Sequence, residues 1–232
     1  MNPHFFKFPS TPHLAVLGPN NIRDDKVLGQ QEQAEFLQHP LVVEEKIDGA
    51  NLGISFDAAG ELLLQNRGKY VSSPYMGQWK RLGVWLAPQQ TRLFSVLSDQ
   101  YILFGEWCYA CHSVAYDSLP DWFLGFDIYD KKQGRFLSSG GRDELLSALS
   151  MPSVPVLANG SFTLWSLTEM LSKVSQFANH PVEGIYLRYD DGLWLGGRAK
   201  LVRSEFIQAI EEHWSRRSIT PNHLRIASEI PR

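Results

Sequence analysis

The feature that most constrains this chain is a series of short apolar runs that are separated by Gly, Asp and Asn turns. Such runs are typical of strands, and they do not alternate with helices in the βαβ pattern that builds parallel sheets. The predicted fold class is therefore α+β, with largely antiparallel sheets flanked by helices. The predicted strands cover residues 41–45, 51–57, 62–66, 101–109, 122–129, 183–189 and 193–202.

Helices are predicted on either side of these strands. Ser166 followed by Glu169 matches a capping box for one helix, and Ser204 can cap the last one. The turn at Asp48-Gly49 is predicted to join the first two strands, which would form a meander with the third. The predicted helices cover residues 30–38, 75–97 with a break at Pro88, 141–149, 167–178 and 204–214.

The chain has 232 residues, of which 44% are hydrophobic, and this suffices for one large globular domain or two small ones. No repeat or linker divides it, so we expect a single domain over residues 1–232, with a C-terminal helical tail at 204–232 and no appended domain. The apolar stretches are shorter than the roughly 18 residues of a membrane span, and residues 1–10 lack the apolar centre of a signal peptide. These features favour a cytoplasmic protein with no membrane partner.

Acidic and basic residues are unevenly distributed along the chain. The net charge is −3, which differs from the strongly basic character of a protein that coats nucleic acid. Residues 1–61 carry four basic and nine acidic residues, whereas residues 198–232 carry seven basic and four acidic ones. A nucleic-acid partner is expected near this basic C-terminal stretch, and the alternative is that its charges are solvated helix faces.

The motif Lys46-Ile47-Asp48-Gly49 follows the first predicted strand. Alone it is weak, because about one chain in twenty of this length contains Lys-x-Asp-Gly by chance, and it can be a hairpin with an exposed lysine. Its significance comes from further motifs that lie at strand ends. These are Asn66-Arg67-Gly68, Phe104-Gly105-Glu106, Phe126-Asp127, Glu183-Gly184 and Arg198-Ala199-Lys200.

In order and spacing, these six elements resemble the signature motifs of the covalent nucleotidyltransferases, the superfamily of polynucleotide ligases and messenger-RNA capping enzymes. The ATP-dependent RNA ligase branch is the most similar, over about residues 44–203, and it implies a ligase-type adenylation domain. The sequences that carry the resemblance are Glu45-Lys46-Ile47-Asp48-Gly49-Ala50-Asn51, Phe104-Gly105-Glu106-Trp107, Glu183-Gly184-Ile185-Tyr186 and Lys200-Leu201-Val202-Arg203.

The resemblance implies a three-step reaction. Lys46 attacks the α-phosphate of ATP to form a lysyl-adenylate, AMP passes to an RNA 5′-phosphate, and a 3′-hydroxyl displaces AMP and seals the strand, as in a nicked duplex. Only about one lysine in 2,500 is neutral at pH 7, and only the neutral amine is a nucleophile. The pKa of Lys46 therefore has to fall by about 3 units, for which bound Mg²⁺ or Mn²⁺ and Lys200 are the expected causes.

The resemblance also assigns roles to the charged residues. Lys200 and Arg198 are implied to contact the α-phosphate, where negative charge develops, and Arg67 to contact phosphate or ribose. Glu183 is implied to hold the catalytic metal, with Asp48 supporting a second metal on the pyrophosphate. Outside this constellation, each carboxylate would be an ordinary surface acid.

The remaining roles that the resemblance implies concern the nucleoside. Glu106 binds the ribose, Phe126 stacks on the adenine, Asn51 helps to orient the site and Glu45 reads the adenine edge. The alternative for Phe126 is a core aromatic residue in a strand, because other aromatic residues lie nearby in the sequence.

Two features depart from the family pattern. The last motif usually reads Lys-x-Lys, and here Arg198 takes the first place, so that a broad guanidinium fork replaces a point charge. The sequence also extends only about thirty residues beyond Lys200, which leaves little for the extra domain that most ligases append. Strand binding is therefore expected to depend on the basic residues in 203–225 or on a protein partner.

Cys108, Cys111 and His112 spell Cys-x-x-Cys-His, the attachment sequence of c-type haem. Haem attachment goes with export, and the sequence shows no export signal, so no haem is expected. A zinc site would need a fourth ligand such as His180 or His223. A redox pair is not expected in a reducing cytosol, and both cysteines are predicted to be ordinary buried or half-buried thiols.

The leading prediction is thus an ATP-dependent RNA ligase with Lys46 as its nucleophile. Within the superfamily, the alternatives are a DNA ligase and a guanylyl-transferring capping enzyme. From a different class, the alternative is a non-catalytic nucleotide- or RNA-binding module that keeps the same fold.

Overall fold

The computed structural model of the protein describes residues 5–18, 27–205 and 219–225. The strands are β1 (Leu41–Glu45), β2 (Ala50–Phe56), β3 (Leu62–Gln65), β4 (Tyr101–Trp107), β5 (Phe123–Asp130), β6 (Arg135–Phe136), β7 (Val156–Gly160), β8 (Gly184–Asp191) and β9 (Trp194–Val202). The helices are α1 (Gln30–Phe36), α2 (Leu82–Leu86), α3 (Gln90–Leu97), α4 (Ser139–Leu149) and α5 (Leu164–Glu169).

The strands form two antiparallel sheets, which confirms the predicted α+β class. One, here called the β1 sheet, has the order β7-β1-β8-β9, and the other, the β2 sheet, has the order β3-β2-β4-β5-β6. The predicted meander of the first three strands is wrong, because β1 and β2 lie in different sheets. The segment between them, which contains Lys46 and Gly49, therefore crosses from one sheet to the other instead of forming a hairpin.

Two further predictions are corrected. The predicted helix at 75–97 is a 3₁₀ turn at Gly77–Trp79 followed by α2 and α3. The predicted helix at 167–178 begins earlier and ends at Glu169, and its capping box pairs Thr163 with Ser166.

Most of the predicted helix at 204–214 and of the predicted C-terminal tail lies outside the described residues, since the tail is described only at 204–205 and 219–225. Residues 204 and 205 are helical. Residues 219–225 are not helical, and they pair with residues 110 and 119 through isolated bridges.

Each sheet buries one face against helices. Val43, Ile185 and Leu201 of the β1 sheet pack in a core with Phe36 of α1 and Leu167 of α5. The β2 sheet buries a larger core beneath α2, α3 and α4. Because side chains alternate along a strand, the residues between these buried positions face the space between the two sheets.

The N-terminal segment closes one side of that space. The backbone N–H of Lys200 donates to the carbonyl of Pro12 at 3.0 Å, and the N–H of Leu14 donates to the carbonyl of Lys200 at 2.8 Å. Phe8 packs edge-on against Phe126, with 5.4 Å between ring centroids. These contacts attach the N-terminal segment to both sheets. In the part of the chain that the structure describes, no helix is long and apolar enough to cross a membrane.

Candidate active site

A cavity lies between the two sheets and contains about 630 Å³ of empty space that opens to solvent. Its lining includes seven of the predicted site residues: Glu45, Lys46, Asn51, Arg67, Glu106, Phe126 and Lys200. Residues that are up to 155 positions apart in sequence thus meet in one site, which supports the interpretation of the motifs as a single constellation.

Lys46 lies directly after β1, at the point where the chain leaves the β1 sheet. Its Nζ donates to both carboxylate oxygens of Glu183, each at 2.7 Å. The Lys46 side chain is 26% exposed and that of Glu183 is 5% exposed. Glu183 itself immediately precedes β8, the strand that pairs with β1. Strand pairing therefore brings the predicted nucleophile and the predicted metal ligand together.

The ion pair controls the protonation of the lysine. Burial alone would lower the pKa of Lys46, but the charges of Glu183, Asp48 and Glu106 outweigh it, and the pKa is raised above its ordinary value. This differs from the lowered pKa of Lys46 that was expected from the sequence. The chain's own residues thus keep the amine charged, and a neutral amine requires the carboxylate charge around it to be compensated.

The turn after Lys46 depends on a glycine. A Cβ on Gly49 would lie 2.7 Å from the carbonyl oxygen of Trp107, so that only glycine lets the chain pass this close to β4. Asp48 Oδ2 accepts hydrogen bonds from the backbone N–H groups of Ser113 at 2.6 Å and Val114 at 3.0 Å. These contacts fix the Asp48 carboxylate next to the lysine.

Glu106 lies on the opposite wall, on the inner face of β4. Burial raises its pKa to about 7, with further upward contributions from Asp48 and Glu183, while Lys46 and Arg67 oppose the shift. Burial likewise raises the pKa of Glu183, against the effect of Lys46. These carboxylates raise each other's pKa, so a cation bound beside them would stabilise their charged forms.

The carboxylates offer the oxygen ligands that Mg²⁺ and Mn²⁺ prefer. Within the described ranges, no group of three or more His, Cys, Asp or Glu side chains forms a metal cage. Mg²⁺ is usually held by one or two carboxylates together with substrate phosphates and water, and a cage is not required for it. Glu183 and Asp48 fit this mode of binding, because Glu183 keeps both oxygens toward the site and Asp48 uses only Oδ2 for the backbone.

Phe126 and Asn51 also line the cavity. Phe126 is half-buried on β5 and belongs to the lining. Asn51 Oδ1 is buried and has no hydrogen-bond partner in the structure. An unsatisfied buried acceptor in a cavity wall is costly unless a ligand supplies a donor. Both residues are therefore placed where a bound nucleoside can meet them.

The position of Glu45 does not favour the predicted contact of this residue with the edge of adenine. Its Oε1 accepts a hydrogen bond from the Ser175 hydroxyl at 2.5 Å, and its Oε2 accepts one from the backbone N–H of Gln176 at 3.1 Å. Alternation along β1 turns this carboxylate away from Lys200 and Tyr186. Reading of the adenine edge by Glu45 thus lacks support from the geometry.

Arg198 is not brought into the cavity. Its Nη1 donates to Asp127 Oδ2 at 2.7 Å, and its guanidinium lies over the rings of Phe8 and Phe136. Arg198 is not among the residues that line the cavity. The predicted contact between Arg198 and the α-phosphate is therefore not supported, and Lys200 is the residue of this motif that lines the cavity.

Sequence reasoning missed a buried charged network behind Phe126. Arg142 Nη1 donates to Glu44 Oε1 at 2.5 Å and to the carbonyl of Phe126 at 3.0 Å. Arg188 Nη1 donates to the same carbonyl and to Asp127 Oδ1, both at 3.1 Å. These side chains are fully buried. Arg142 and Phe126 are 16 positions apart, whereas the other partners are 61 or more positions apart. No local pattern in the sequence marks the network.

The C-terminal segment 219–225 also supports the site. The side chain of Asn222 accepts from the backbone N–H of Tyr116 at 2.9 Å and donates to the carbonyl of Cys108 at 2.8 Å. The Tyr116 hydroxyl in turn accepts from the backbone N–H of Asp48 at 2.8 Å. This series of contacts runs from the C-terminal segment to the motif that carries the lysine.

The Cys-x-x-Cys-His motif lies next to the C-terminal segment 219–225, since the backbone N–H of Cys111 donates to the carbonyl of Thr220 at 2.8 Å. Both cysteines are unpaired, with Cys108 buried and Cys111 half-buried, as predicted. The thiol of Cys108 contacts the carbonyl of Glu106, and burial raises its pKa well above the ordinary value. His112 Nε2 contacts Gln78 Oε1 at 2.9 Å. The raised pKa makes Cys108 a poor nucleophile and a poor metal ligand.

The sequence matches the model of the RNA ligase family over residues 39–202. No curated protein sequence matches it significantly. The fold is similar to that of Naegleria gruberi RNA ligase with PPi, with a TM-score of 0.62 and 18% identity over 92% of this chain and 60% of that chain. Mutants of that ligase give TM-scores of 0.64 with AMP and Mn and 0.62 with ATP and Mn, at 15% and 17% identity and the same coverage. The chain thus spans about three fifths of the length of that ligase.

Proposed function

Because the chain belongs to the RNA ligase family, we propose that it joins RNA ends in an ATP-dependent reaction that proceeds through a lysyl-adenylate on Lys46. The observation that carries the proposal is the position of Lys46, which is paired with Glu183 and lines a cavity together with Lys200 and Glu106. The solved structures of the similar Naegleria gruberi ligase with ATP, AMP, PPi and Mn support the same choice of nucleotide and of a divalent metal.

The nucleotide enters with its base toward Phe126 and its phosphates toward Lys46. Phe126 stacks on the base, and Glu106 accepts from the ribose hydroxyls. Lys200 and Arg67 neutralise the phosphates with charges that are in place before the reaction, which is the condition for effective electrostatic catalysis. Glu183 and Asp48 would hold a divalent cation, which would supply further positive charge to the phosphates.

Lys46 becomes a nucleophile when Glu183 no longer compensates its charge. Burial then lowers the pKa of the amine, and its proton is lost to solvent. The neutral Nζ forms a bond to the α-phosphorus while the bond to the β-phosphate oxygen breaks, so that pyrophosphate leaves. The lysyl-adenylate passes AMP to the 5′-phosphate of an RNA strand, and a 3′-hydroxyl displaces AMP to close the phosphodiester.

The first experiment uses ATP labelled at the α-phosphate, with Mg²⁺ and Mn²⁺ in separate reactions. We expect label that stays on the protein after denaturation and that is lost in Lys46→Ala. Lys132→Ala is the matched control, because Lys132 is 60% exposed and lies outside the cavity, and it should keep the label. No covalent label with either metal would contradict the proposal, and label from GTP alone would indicate a capping-type enzyme.

A second experiment tests the strand. The adenylated protein is isolated and mixed with a 5′-phosphorylated RNA that has a 3′-hydroxyl end, as a single strand and at a nick. We expect AMP to move to the RNA and a sealed product to form, with or without an added protein partner that grips the strand. Transfer to DNA alone would indicate a DNA ligase, and a stable adenylate that no strand removes would indicate a nucleotide-binding module.

A further inference from the structure

A second concave surface, here called the C-terminal groove, lies outside the cavity and shares no lining residue with it. Its lining includes Val84 and Trp85 of α2, Trp122 just before β5, and Pro221 and His223 of the C-terminal segment. Val84 is 72% exposed, and both tryptophans are half-buried. Aromatic and apolar surface that stays open to solvent in this way marks an interaction site.

Trp122 gives the groove an indole ring whose position is fixed. Its backbone carbonyl accepts from the N–H of Cys108 at 2.7 Å. The ring of Tyr109 packs edge-on against it, with 5.4 Å between the ring centroids. A half-exposed indole that is held in place offers a surface on which a nucleic-acid base of any kind can stack.

The charged side chains that α2 and the C-terminal segment bring to the groove are basic. Arg81, which immediately precedes α2, belongs to the lining, and Arg225 follows the lining residues of the C-terminal segment. Both arginines are exposed. The carboxylate in the lining, that of Asp121, is already engaged, since its Oδ1 accepts from Trp85 Nε1 at 2.5 Å and from the backbone N–H of Phe123 at 3.1 Å. The charge that the groove presents to a ligand therefore suits an anion.

The groove adjoins the lysine motif at the end of β4. Gly49 packs against the carbonyl oxygen of Trp107, the last residue of β4. The backbone N–H of His223 donates to the carbonyl of Tyr116 at 2.9 Å, and the Tyr116 hydroxyl accepts from the N–H of Asp48. A polyanion in the groove would thus lie beside the segments that carry the site.

We propose that the C-terminal groove binds the RNA strand, with an unpaired base stacked on Trp122 and neighbouring phosphates on Arg81 and Arg225. The inference rests on the proposed function for the choice of RNA. Stacking and phosphate contacts tolerate any base, so binding depends little on sequence and strongly on salt. An aromatic groove also suits a proline-rich peptide, but such a peptide offers no negative charge to the two arginines.

The test measures binding of a fluorescent oligouridylate of about ten nucleotides to the full chain, without ATP, by fluorescence anisotropy. Uridylate offers no adenine to the cavity. We expect Trp122→Ala to weaken binding roughly 10- to 100-fold, because a stacked base is lost, and Trp122→Phe to restore most of the affinity. Trp165→Ala is the matched control, since Trp165 is 74% exposed on α5 and does not line the groove, and it should bind as wild type does.

Arg81→Gln changes an exposed side chain and decides the matter even where Trp122→Ala does not fold. We expect the slope of log Kd against log salt concentration to decrease by about 0.7, as for one phosphate contact of a single strand. Arg92→Gln is the matched control, because Arg92 is exposed on α3 and lies outside the groove, and it should keep the wild-type slope.

Three results overturn the proposal. The first is a wild-type protein that does not bind the oligouridylate. The second is unchanged binding in a folded Trp122→Ala protein or an unchanged slope in Arg81→Gln. The third is a polyproline peptide whose binding requires Trp122 while RNA binding does not, which would make the groove a peptide site.

Strand binding is measured apart from the chemistry at Lys46. If Trp122→Ala and Arg81→Gln weaken RNA binding but ATP leaves no covalent label, the inference on the groove stands and the proposed reaction fails. If ATP labels the protein and AMP passes to RNA, but these substitutions leave RNA binding unchanged, the inference on the groove fails and the reaction stands.

Discussion

The cavity has ion pairs at two places that differ in access to solvent. At its mouth, Lys46 is 26% exposed and pairs with Glu183. Behind Phe126, the side chains of the pairs Arg142–Glu44 and Arg188–Asp127 are 0% exposed. The first pair can open when a ligand replaces one partner, whereas the buried pairs cannot separate without leaving a charge in a dry environment.

This difference separates a reactive end from a rigid end. The reactive end has to exchange a proton, a phosphate and a metal, and its groups are held by contacts that ligands can replace. The rigid end holds one backbone carbonyl, that of Phe126, between two arginines. Rigid support of the base and movable charge at the phosphates are what the proposed reaction requires.

The largest expected effect on stability comes from breaking the rigid end. Arg188→Met removes the ion pair to Asp127 Oδ1 and leaves the carbonyls of Phe126 and Leu137 without this donor. We expect the free energy of unfolding to fall by about 3–5 kcal/mol, as measured by urea denaturation.

The control for this change is the exposed pair of Lys132 and Asp99, whose atoms are 4.0 Å apart. Asp99→Asn should alter the free energy of unfolding by less than about 1 kcal/mol. If Arg188→Met were as mild as Asp99→Asn, the buried network would not be the rigid end that the comparison requires.

The next effect concerns the reactive end. Glu183→Gln keeps the shape of the side chain but removes the charge that pairs with Lys46 and that is proposed to hold the metal. We expect the rate of covalent label from ATP to fall on the order of 100-fold, with a smaller loss in the free energy of unfolding than Arg188→Met causes, because the Lys46 side chain is 26% exposed and water can solvate its charge. A large loss of stability with an unchanged rate would reverse the assignment of the two ends.

A smaller effect is the pH dependence that Glu106 contributes. Its pKa is about 7 in the folded chain, above the ordinary 4.5. The folded state therefore binds this proton more tightly than the unfolded state, and the stability that it contributes is present below about pH 4.5 and is lost as the pH rises through 7. Between pH 5 and pH 8, wild type should lose about 1–3 kcal/mol more than Glu106→Gln, as measured by urea denaturation at both values. Parallel profiles for the two proteins would contradict this.

The smallest effect tests the support of the lysine motif. Tyr116→Phe removes the hydroxyl that accepts the backbone N–H of Asp48. We expect a loss of about 1 kcal/mol in the free energy of unfolding, as for one hydrogen bond, together with slower label formation from ATP. Tyr109→Phe is the matched control, since it removes a hydroxyl from a half-buried ring that packs on Trp122 outside the cavity, and it should leave the label unchanged.

Most strands were predictable because apolar runs and turn residues mark their ends, and β1 was predicted to the residue. β7 was missed because Val156–Gly160 is an edge strand that contains Asn and Gly and shows little alternation. The meander was predicted wrongly because the turn chemistry of Asp48-Gly49 suits a hairpin. The chain instead crosses to the other sheet, where Gly49 packs closely on β4. This is a tertiary contact, which the local sequence does not reveal.

The site was predictable as a set of residues but not as a geometry. The motif spacing brought Lys46, Glu106 and Lys200 to one cavity, as expected. It did not show that Arg198 lies outside the cavity, because the position of this guanidinium depends on its contact with the buried Asp127, which is 71 positions away. The buried ion pair of Glu44 and Arg142 could not be predicted from the sequence, since the two residues are 98 positions apart.

The most direct measurement is to locate the covalent nucleotide by mass spectrometry of proteolytic fragments after incubation with ATP and a divalent metal. We expect one AMP adduct, in the fragment that contains Lys46, and none in that fragment when Lys46 is replaced by Ala. An adduct on another lysine such as Lys200, or no adduct on a folded protein that binds AMP, would contradict the assignment of Lys46 as the nucleophile.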